Sequence, residues 1–133
     1  MADAPLDDEL VEFAHHCFDL ARAGSTAELS ELLDAGLTVE LTNAKGDTLL
    51  ILAAYHAHAD TVAALLARGA APDRVNDRGQ TALAAAVFRQ DVGAVQALLA
   101  AGADVHAGGP SALATARFFD LPEMLELLSA EPG

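Results

Sequence analysis

The residues best suited to chemistry are five histidines and a single cysteine. His15-His16 and His56-x-His58 carry imidazole nitrogens of the kind that bind zinc and other transition metals. Adjacent residues of a helix point to different faces, so His15 and His16 cannot bind one ion together. Neither pair has a third ligand at a usual spacing. The histidines are therefore expected to be surface or capping residues, and no metal or other cofactor is predicted.

Nucleophilic and phosphate-binding chemistry lack the residues that would support them. Cys17 occupies a position that recurs as Leu50 and Leu83, so we expect a buried core thiol and not a nucleophile. The segment Gly108-Gly109-Pro110-Ser111 is too short for a phosphate-binding loop and lacks its lysine. The chain is predicted not to be an enzyme. Stoichiometric bound metal, or a hydrolytic activity lost with Cys17, would contradict this prediction.

Charge and hydropathy narrow the classes of partner. The formal net charge of −13 argues against nucleic acid, whose affinity comes largely from phosphate neutralisation by Lys and Arg. Residues 1–40 hold ten Asp and Glu against Arg22 alone. No apolar run approaches the roughly 20 residues of a membrane helix, and the acidic N-terminus is unlike a secretory signal. These features predict a cytoplasmic protein with no membrane partner.

The chain repeats itself with a period of 33 residues. Asn43-Ala-Lys-Gly46-Asp-Thr48-Leu-Leu50 recurs as Asn76-Asp-Arg-Gly79-Gln-Thr81-Ala-Leu83, and the ending Leu-Leu-x-x-Gly-Ala occurs at 65–70 and 98–103. In the last unit the offset falls to 30, which takes Leu83 to Leu113. A period of this length is typical of stacked helical hairpins, so the repeat determines the expected fold.

Each repeat contains the signals of one helical hairpin. Gly46 and Gly79 occupy turn positions that favour positive φ, and Thr48 and Thr81 can cap the short apolar helices that follow them. A second, outer helix carries apolar residues at i, i+3 and i+4. We expect it to end at a left-handed glycine, found at Gly36, Gly69 and Gly102.

The starts of several helices are also predicted. Asp60 and Asp91 are expected to begin the outer helices of the two central units. Pro122 suits the first turn of the last helix, where a missing N–H costs nothing. The first helix is expected from about Asp8 to Ala23 and is longer than the internal ones. The terminal units depart from the repeat, as the ends of such a stack require.

The pattern resembles the ankyrin repeat over residues 8–129. The family string Gly-x-Thr-Pro-Leu-His-x-Ala-Ala appears here as Gly46-Asp-Thr-Leu-Leu-Ile-Leu-Ala-Ala54, without its Pro and His. The resemblance implies an all-α solenoid of about four helix-turn-helix units with degenerate capping repeats. The predicted repeats are residues 8–42, 43–75, 76–108 and 109–129, between an acidic lead at 1–7 and a tail at 130–133.

The resemblance also implies where a partner binds. Members of the family typically bind proteins with the turn tips and the exposed side of the first helices. Superposed repeats place Arg22, Tyr55, Phe88 and Phe118 on that side, each followed by the next residue in the chain. Tyr55, Phe88 and Phe118 are expected to form an aromatic stripe. Exposed aromatics are typical of binding hot spots, although phenylalanines packed against a neighbouring repeat would show the same pattern.

Basic residues indicate the same side of the molecule. Lys45 and Arg78 are turn-tip residues, Arg68 and Arg74 flank the following turn, and Arg22 and Arg89 face the groove. Local ion pairs with Asp47, Asp73 or Asp77 are the alternative. The predicted partner-binding residues are Arg22, Lys45, Asp47, Tyr55, His56, Asp77, Arg78, Gln80, Phe88, Arg89, Phe118 and Phe119.

Two functions follow as hypotheses. In the first, the chain is a cytoplasmic adaptor or inhibitor that docks one protein segment with apolar and acidic side chains in this groove. In the second, the acidic N-terminal and convex surface, with Asp7, Asp8, Glu9 and Glu12, mimics an anionic ligand and neutralises a basic partner. The stripe could equally serve self-association, so a monomer and a weakly self-associating protein both remain open.

Overall fold

The computed structural model describes the backbone of residues 3–129 and the side chains of residues 8–129. The predicted tail at 130–133 lies outside the described residues, as do Met1 and Ala2 and the side chains of the rest of the predicted lead. Within the described backbone, the protein forms eight α-helices and one isolated bridge between Thr42 and Thr48. The predicted all-α solenoid of helix-turn-helix units is confirmed.

The helices pair along the chain and form two layers. The inner layer holds α1 (Asp3–Ala23), α3 (Leu49–Tyr55), α5 (Ala82–Phe88) and α7 (Ala112–Phe118). The outer layer holds α2 (Thr26–Asp34), α4 (Ala59–Ala67), α6 (Val92–Ala100) and α8 (Pro122–Ser129). Each helix contacts the next member of its own layer and its hairpin partner. Because every unit covers the apolar face of its neighbour, the core is continuous along the stack.

Small and branched apolar side chains make this core. Leu50 and Leu83 of the inner helices and Leu65 and Leu98 of the outer helices are all buried. Removing a leucine side chain from water contributes roughly 1.5–3 kcal/mol to folding. The inner helices α3 and α5 consist largely of alanine and leucine, and they are buried along nearly their whole length. Short side chains allow these helices to pack closely, so successive repeats stay in register.

The predicted caps of the inner helices are present. The Thr48 hydroxyl accepts a hydrogen bond from the Ile51 amide at 3.0 Å, and Thr81 accepts one from Ala84 at 3.1 Å. Ser111 does the same for α7, because it occupies the position of Thr81 in the shortened last unit. Each such cap gives a hydrogen-bond acceptor to an amide that the helix leaves without a partner, and it typically stabilises the fold by about 1 kcal/mol. The cap therefore recurs in three successive units.

The turn and end signals agree with the structure, with positive φ at the predicted glycines. Gly46 shows why glycine is required, since its φ is 78° and an added Cβ would lie 2.6 Å from the Asp77 carboxylate. Pro122 begins α8 as predicted. The first helix begins at Asp3, however, and not near Asp8.

The start of one outer helix was predicted wrongly. Asp91 caps α6 through its side chain, as expected, but Asp60 lies inside the first turn of α4. His58 occupies the cap position of α4, because the 33-residue period places His58, and not Asp60, at the equivalent of Asp91. The His58 ring bonds to the preceding repeat, with Nε2 2.8 Å from the Arg22 carbonyl oxygen.

Candidate functional site

Two adjoining depressions lie along the inner helices and the turn tips. A cleft of about 590 Å³ is bounded by α1, the first turn tip at residues 43–47 and the end of α3. A smaller depression of about 220 Å³ lies between α3, α5 and α7. Tyr55 and Gln80 line both of them. We refer to the two depressions together as the groove.

The apolar end of the groove is a row of exposed aromatic rings. The exposed fractions are 40% for Tyr55, 47% for Phe88, 49% for Phe119 and 81% for Phe118. The ring centroids of Tyr55 and Phe88 are 6.5 Å apart, and those of Phe88 and Phe119 are 5.4 Å apart. Such separations are typical of favourable aromatic pairs. The rings are therefore mutually supported yet open to solvent.

The order of the row differs from the prediction. Repeat superposition placed Phe118 directly after Phe88, but the ring against Phe88 belongs to Phe119. Phe118 joins the row through Phe119, with their centroids 4.9 Å apart and the rings nearly perpendicular. Phe119 is the C-cap residue of α7, and its ring contacts Phe88 of the preceding repeat. We define the aromatic row as Tyr55, Phe88, Phe119 and Phe118.

The other end of the groove carries basic side chains. Lys45 and Arg78 are exposed at successive turn tips and line the larger cleft together with Arg22 and His56. Arg22 forms an ion pair with Asp19 at 2.9 Å. Among the described residues, Lys45, Arg78 and Arg89 take part in no ion pair. Three cations without an ion pair in this part of the strongly acidic chain therefore lie in or beside the groove, whose larger cleft is also lined by Asp19 and Asp47.

Arg89 is a cation bonded to a residue of the aromatic row. Its guanidinium donates a hydrogen bond from Nη1 to the Tyr55 carbonyl oxygen at 2.9 Å. This bond joins the end of α5 to the end of α3, and it places a cation at the backbone of Tyr55, the first residue of the aromatic row. A charge-assisted hydrogen bond to a neutral carbonyl leaves the guanidinium charge in place. Arg89 can therefore both align neighbouring repeats and attract an acidic group.

Arg68 and Arg74, which were expected to flank a turn on the binding side, form ion pairs between repeats. Arg68 Nε lies 3.0 Å from Asp34 Oδ1, and Arg74 Nη1 lies 2.9 Å from Glu40 Oε1. Neither arginine lines the groove depressions. The hydrogen bond from Arg68 also holds the pKa of Asp34 below its ordinary value. Each arginine pairs with an acid of the preceding unit, so Arg68 and Arg74 show the local ion pairing that was the alternative to partner binding.

A hydrogen-bond network inside the turn tips sets the positions of the groove cations. Asn76 Oδ1 accepts hydrogen bonds from the backbone amides of Arg78 and Gln80, both at 2.9 Å. Asn76 Nδ2 donates to Asp47 Oδ1 at 2.8 Å and to the Gln80 side-chain oxygen at 2.9 Å. Asn76 is buried, and these bonds link one turn tip to the next. The backbone that carries Arg78 is therefore held at both sides.

The same network changes the interpretation of three predicted site residues. The Asp47 carboxylate is only 9% exposed and accepts bonds from Asn43 and Asn76, so it supports the turn. Gln80 lies in both depressions while its carbonyl is bonded to Asn76. Asp77 stays exposed at the tip, with its amide bonded to the Lys45 carbonyl. A partner therefore has access to Asp77 and Gln80 more readily than to Asp47.

His56 lies where the basic and aromatic ends meet. Its ring centroid is 6.0 Å from that of Tyr55. Partial burial, and then the positive charges of His58, Arg22 and Arg89, lower the pKa of His56 below its ordinary 6.5. Burial is the larger cause of this shift, and the nearby positive charges act in the same direction.

Removing one of these charges should raise the pKa of His56. We expect Arg89→Gln to move it toward 6.5, and Arg117→Gln, on α7, to leave it unchanged; NMR titration of the ring protons measures both. Because the folded pKa is the lower one, the unfolded chain binds the proton more readily, and the stability contribution of His56 is lost as pH falls below 6.5. An unchanged titration in Arg89→Gln would contradict the assigned cause.

The remaining histidines and the cysteine considered for chemistry do not form a reactive site within the described residues. Cys17 is fully buried, as predicted, and burial raises the pKa of its thiol. His16 bonds to Glu28 at 3.1 Å, whereas His15 lines the larger cleft. Among the described residues, no three His, Cys, Asp or Glu side chains form a group that could hold a metal ion. The segment 108–111 is the shortened last turn, which the Gly109 amide links to the Gly79 carbonyl.

Asn43 and Asn76 are the residues that sequence reasoning missed. Both were visible in the repeat, 33 positions apart and two residues before a turn-tip cation. An asparagine that bonds to amides further along the chain is a known turn former, so the signal was available. The bond from Asn76 to Asp47 crosses between repeats, and no local pattern reveals it.

Comparison with known proteins adds a family to this geometry. A model of ankyrin repeats, described as three copies, matches residues 18–108. A protein of Pseudomonas aeruginosa that is named for its ankyrin repeats is 55% identical over 65 residues. The aligned part makes up 47% of this chain and 38% of that relative, so the chain spans well under half of the relative's length. No helix within the described residues is long and apolar enough to cross a membrane.

Proposed function

Because the chain belongs to the ankyrin repeat family, we propose that it is a cytoplasmic adaptor or inhibitor that docks one protein partner in the groove. Ankyrin repeats are generally protein–protein interaction modules and are typically not enzymes. The proposed contact surface consists of the aromatic row, the exposed turn tips and the cations Lys45, Arg78 and Arg89.

One observation carries this proposal. Four aromatic rings, all at least 40% exposed, lie in one contiguous row that leads to cations without ion-pair partners in the described part of the chain. Exposed aromatic side chains cost solvation energy in the free protein, and they are enriched among the residues that dominate binding energy. A contiguous apolar patch of this kind on a soluble domain commonly marks an interaction site.

The chemistry of the groove indicates the chemistry of the partner. Apolar side chains of the partner fit the depression between Tyr55, Phe88 and Phe119, where Ala84 and Ala85 form the floor. Carboxylates fit the larger cleft, beside Lys45 and Arg78. A stable interface buries about 800 Å² on each partner, so the contact extends over both depressions. The proposed ligand is a segment with both apolar and acidic side chains.

Charge reversal tests the proposal. The chain is used to capture its partner from extracts of the native host, and the affinity of the purified pair is then measured. We expect Arg78→Glu with Arg89→Glu to weaken binding about tenfold or more, and more strongly at low salt. Arg117→Glu is the control, since Arg117 is also exposed and without an ion pair in the described residues, but its side chain neither lines the groove, as that of Arg78 does, nor bonds to Tyr55, as that of Arg89 does. It should leave the affinity unchanged.

A second set of variants tests the alternative hypothesis of acidic mimicry. Neutralising Asp8, Glu9 and Glu12 together removes three exposed carboxylates near the start of α1, none of which lines the groove. Asp7 belongs to the same hypothesis, but its side chain lies outside the described residues. Groove docking predicts little loss of partner affinity in these variants. Loss of binding here, with unchanged binding in the arginine variants, would replace the groove by the acidic surface.

A further inference from the structure

The first helix carries an apolar stripe that extends beyond the helix that covers it. Cys17 and Ala21 on this stripe are buried against the stack, and Ala14 is partly buried. One turn before Ala14 the stripe continues to Leu10 and Val11, which are 59% and 51% exposed. The cover ends because α3 begins only at Leu49, the equivalent of His16 in the 33-residue repeat. We call residues 8–14, which precede this point, the α1 overhang.

The overhang combines apolar and acidic side chains. Phe13, 43% exposed, extends the apolar surface of Leu10 and Val11. The same segment holds Asp8, Glu9 and Glu12, all exposed, and no basic residue. None of these three carboxylates takes part in an ion pair among the described residues. The overhang is therefore an acidic helix with an uncovered apolar side.

The groove is complementary to the overhang in both respects. The groove cations Lys45 and Arg78, with Arg89 beside the groove, are opposite in charge to the three carboxylates and equal to them in number. Its aromatic row matches Leu10, Val11 and Phe13 in character. Complementary charge beside complementary apolar surface favours one register of association and raises the rate of encounter. One molecule thus presents both the groove and a segment of the kind proposed to fill it.

We propose that the overhang of one copy docks in the groove of a second copy. The proposal rests on the groove being the docking surface, as in the proposed function. A molecule cannot fill its own groove in this way, because α1 is one continuous helix and its second half already forms a wall of the larger cleft through Phe18 and Arg22.

The contact is reciprocal and forms a closed dimer. In each chain the overhang leads directly into the wall of that chain's own groove, so the donating and accepting surfaces are adjacent. Two copies related by a twofold axis can then exchange overhangs, and each makes both contacts. The dimer occupies the surface proposed for the partner. Self-association therefore competes with partner binding, and high concentration of the chain lowers its apparent affinity for the partner.

The test uses the unaltered 133-residue chain and two charge-reversed variants. The overhang variant carries Glu9→Lys and Glu12→Lys, and the groove variant carries Lys45→Glu and Arg78→Glu. Sedimentation velocity from about 1 μM to about 1 mM, the range of weak interfaces, measures association. Fluorescence of Tyr55, the only tyrosine in a chain without tryptophan, reports whether the groove is covered. Circular dichroism checks that each variant is folded.

We expect concentration-dependent dimers for the unaltered chain, with a parallel change in Tyr55 fluorescence. Each variant alone should associate at least tenfold more weakly, because like charges meet at both contacts. Mixing the two variants should restore a dimer, because each overhang then meets a groove of opposite charge. Both variants remain strongly acidic overall, so general attraction cannot explain this rescue. Reversal of Glu123 and Glu126, both exposed on α8, is the control and should change nothing.

Three results would overturn the inference: a monomer at every concentration, dimers that persist in each variant alone, or a mixture that fails to associate. A monomeric chain that still captures its partner through the arginines would leave the proposed function intact. A dimer that forms as described, in a chain that binds its partner elsewhere, would remove the proposed function and keep the self-docking.

Discussion

Replacing Tyr55, Phe88 and Phe119 together by alanine is expected to abolish partner binding while leaving the protein folded. Truncating a hot-spot aromatic typically costs about 2 kcal/mol or more, which is about thirtyfold in affinity for each ring. The rings contact one another, so the three losses will not simply add. The variant should keep its helical circular dichroism, because 40% or more of each side chain is already exposed.

Two single variants calibrate this result. Phe118→Ala removes the most exposed ring, which contacts the row through Phe119, and should weaken binding less than Phe119→Ala. Val75→Ala is the control, since Val75 is 47% exposed but does not line the groove. Calorimetry with the captured partner measures all of them. Full affinity in the triple variant would exclude the aromatic row as the docking surface.

Asn76→Ala is expected to give the largest loss of stability for the removal of one polar side chain. The change removes four hydrogen bonds and deprives the buried Asp47 carboxylate of its 2.8 Å partner. A buried group left without its partner costs about 1–3 kcal/mol, and more when it is charged. We therefore expect the free energy of unfolding to fall by about 2–4 kcal/mol. The turn tip that carries Arg78 should also loosen.

Asn43→Ala separates the local from the inter-repeat contribution. The Asn43 side-chain oxygen accepts hydrogen bonds from the Lys45 and Asp47 amides, just as Asn76 does in its own turn. The side-chain bond from Asn43 to the Asp47 carboxylate lies within one repeat. We expect a smaller loss, about 1–2 kcal/mol, in urea unfolding followed by circular dichroism. Equal losses in the two variants would mean that the bond between turn tips contributes little.

Much of the site was predictable because it repeats. Residues 33 apart occupy equivalent places in successive units, so Tyr55 and Phe88 were correctly placed together, as were the turn-tip cations Lys45 and Arg78. Equivalence by the 33-residue period gave a wrong prediction where the period changes. Three residues are missing from the last turn, and there the ring that meets Phe88 is that of Phe119 and not that of Phe118.

Contacts between repeats were the other feature that the sequence did not predict. The ion pairs Arg68–Asp34 and Arg74–Glu40 join residues 34 positions apart, so their partners are chosen by the stacking of units and not by local spacing. The sequence therefore did not reveal that these two of the six basic residues are already paired. The exposure of the aromatic rings was also undecidable from the sequence, since packed and exposed phenylalanines give the same pattern.

The sequence by itself determined the architecture. Its turn glycines and capping hydroxyls specify each hairpin through local backbone preferences, and the apolar residues that recur with its period make the hairpins stack. Only the tertiary structure decided which side chains remain available. Whether an arginine is paired, a ring is covered or the stripe of α1 has a neighbour depends on what the adjacent unit places beside it. That placement results from packing between elements that are distant in the chain.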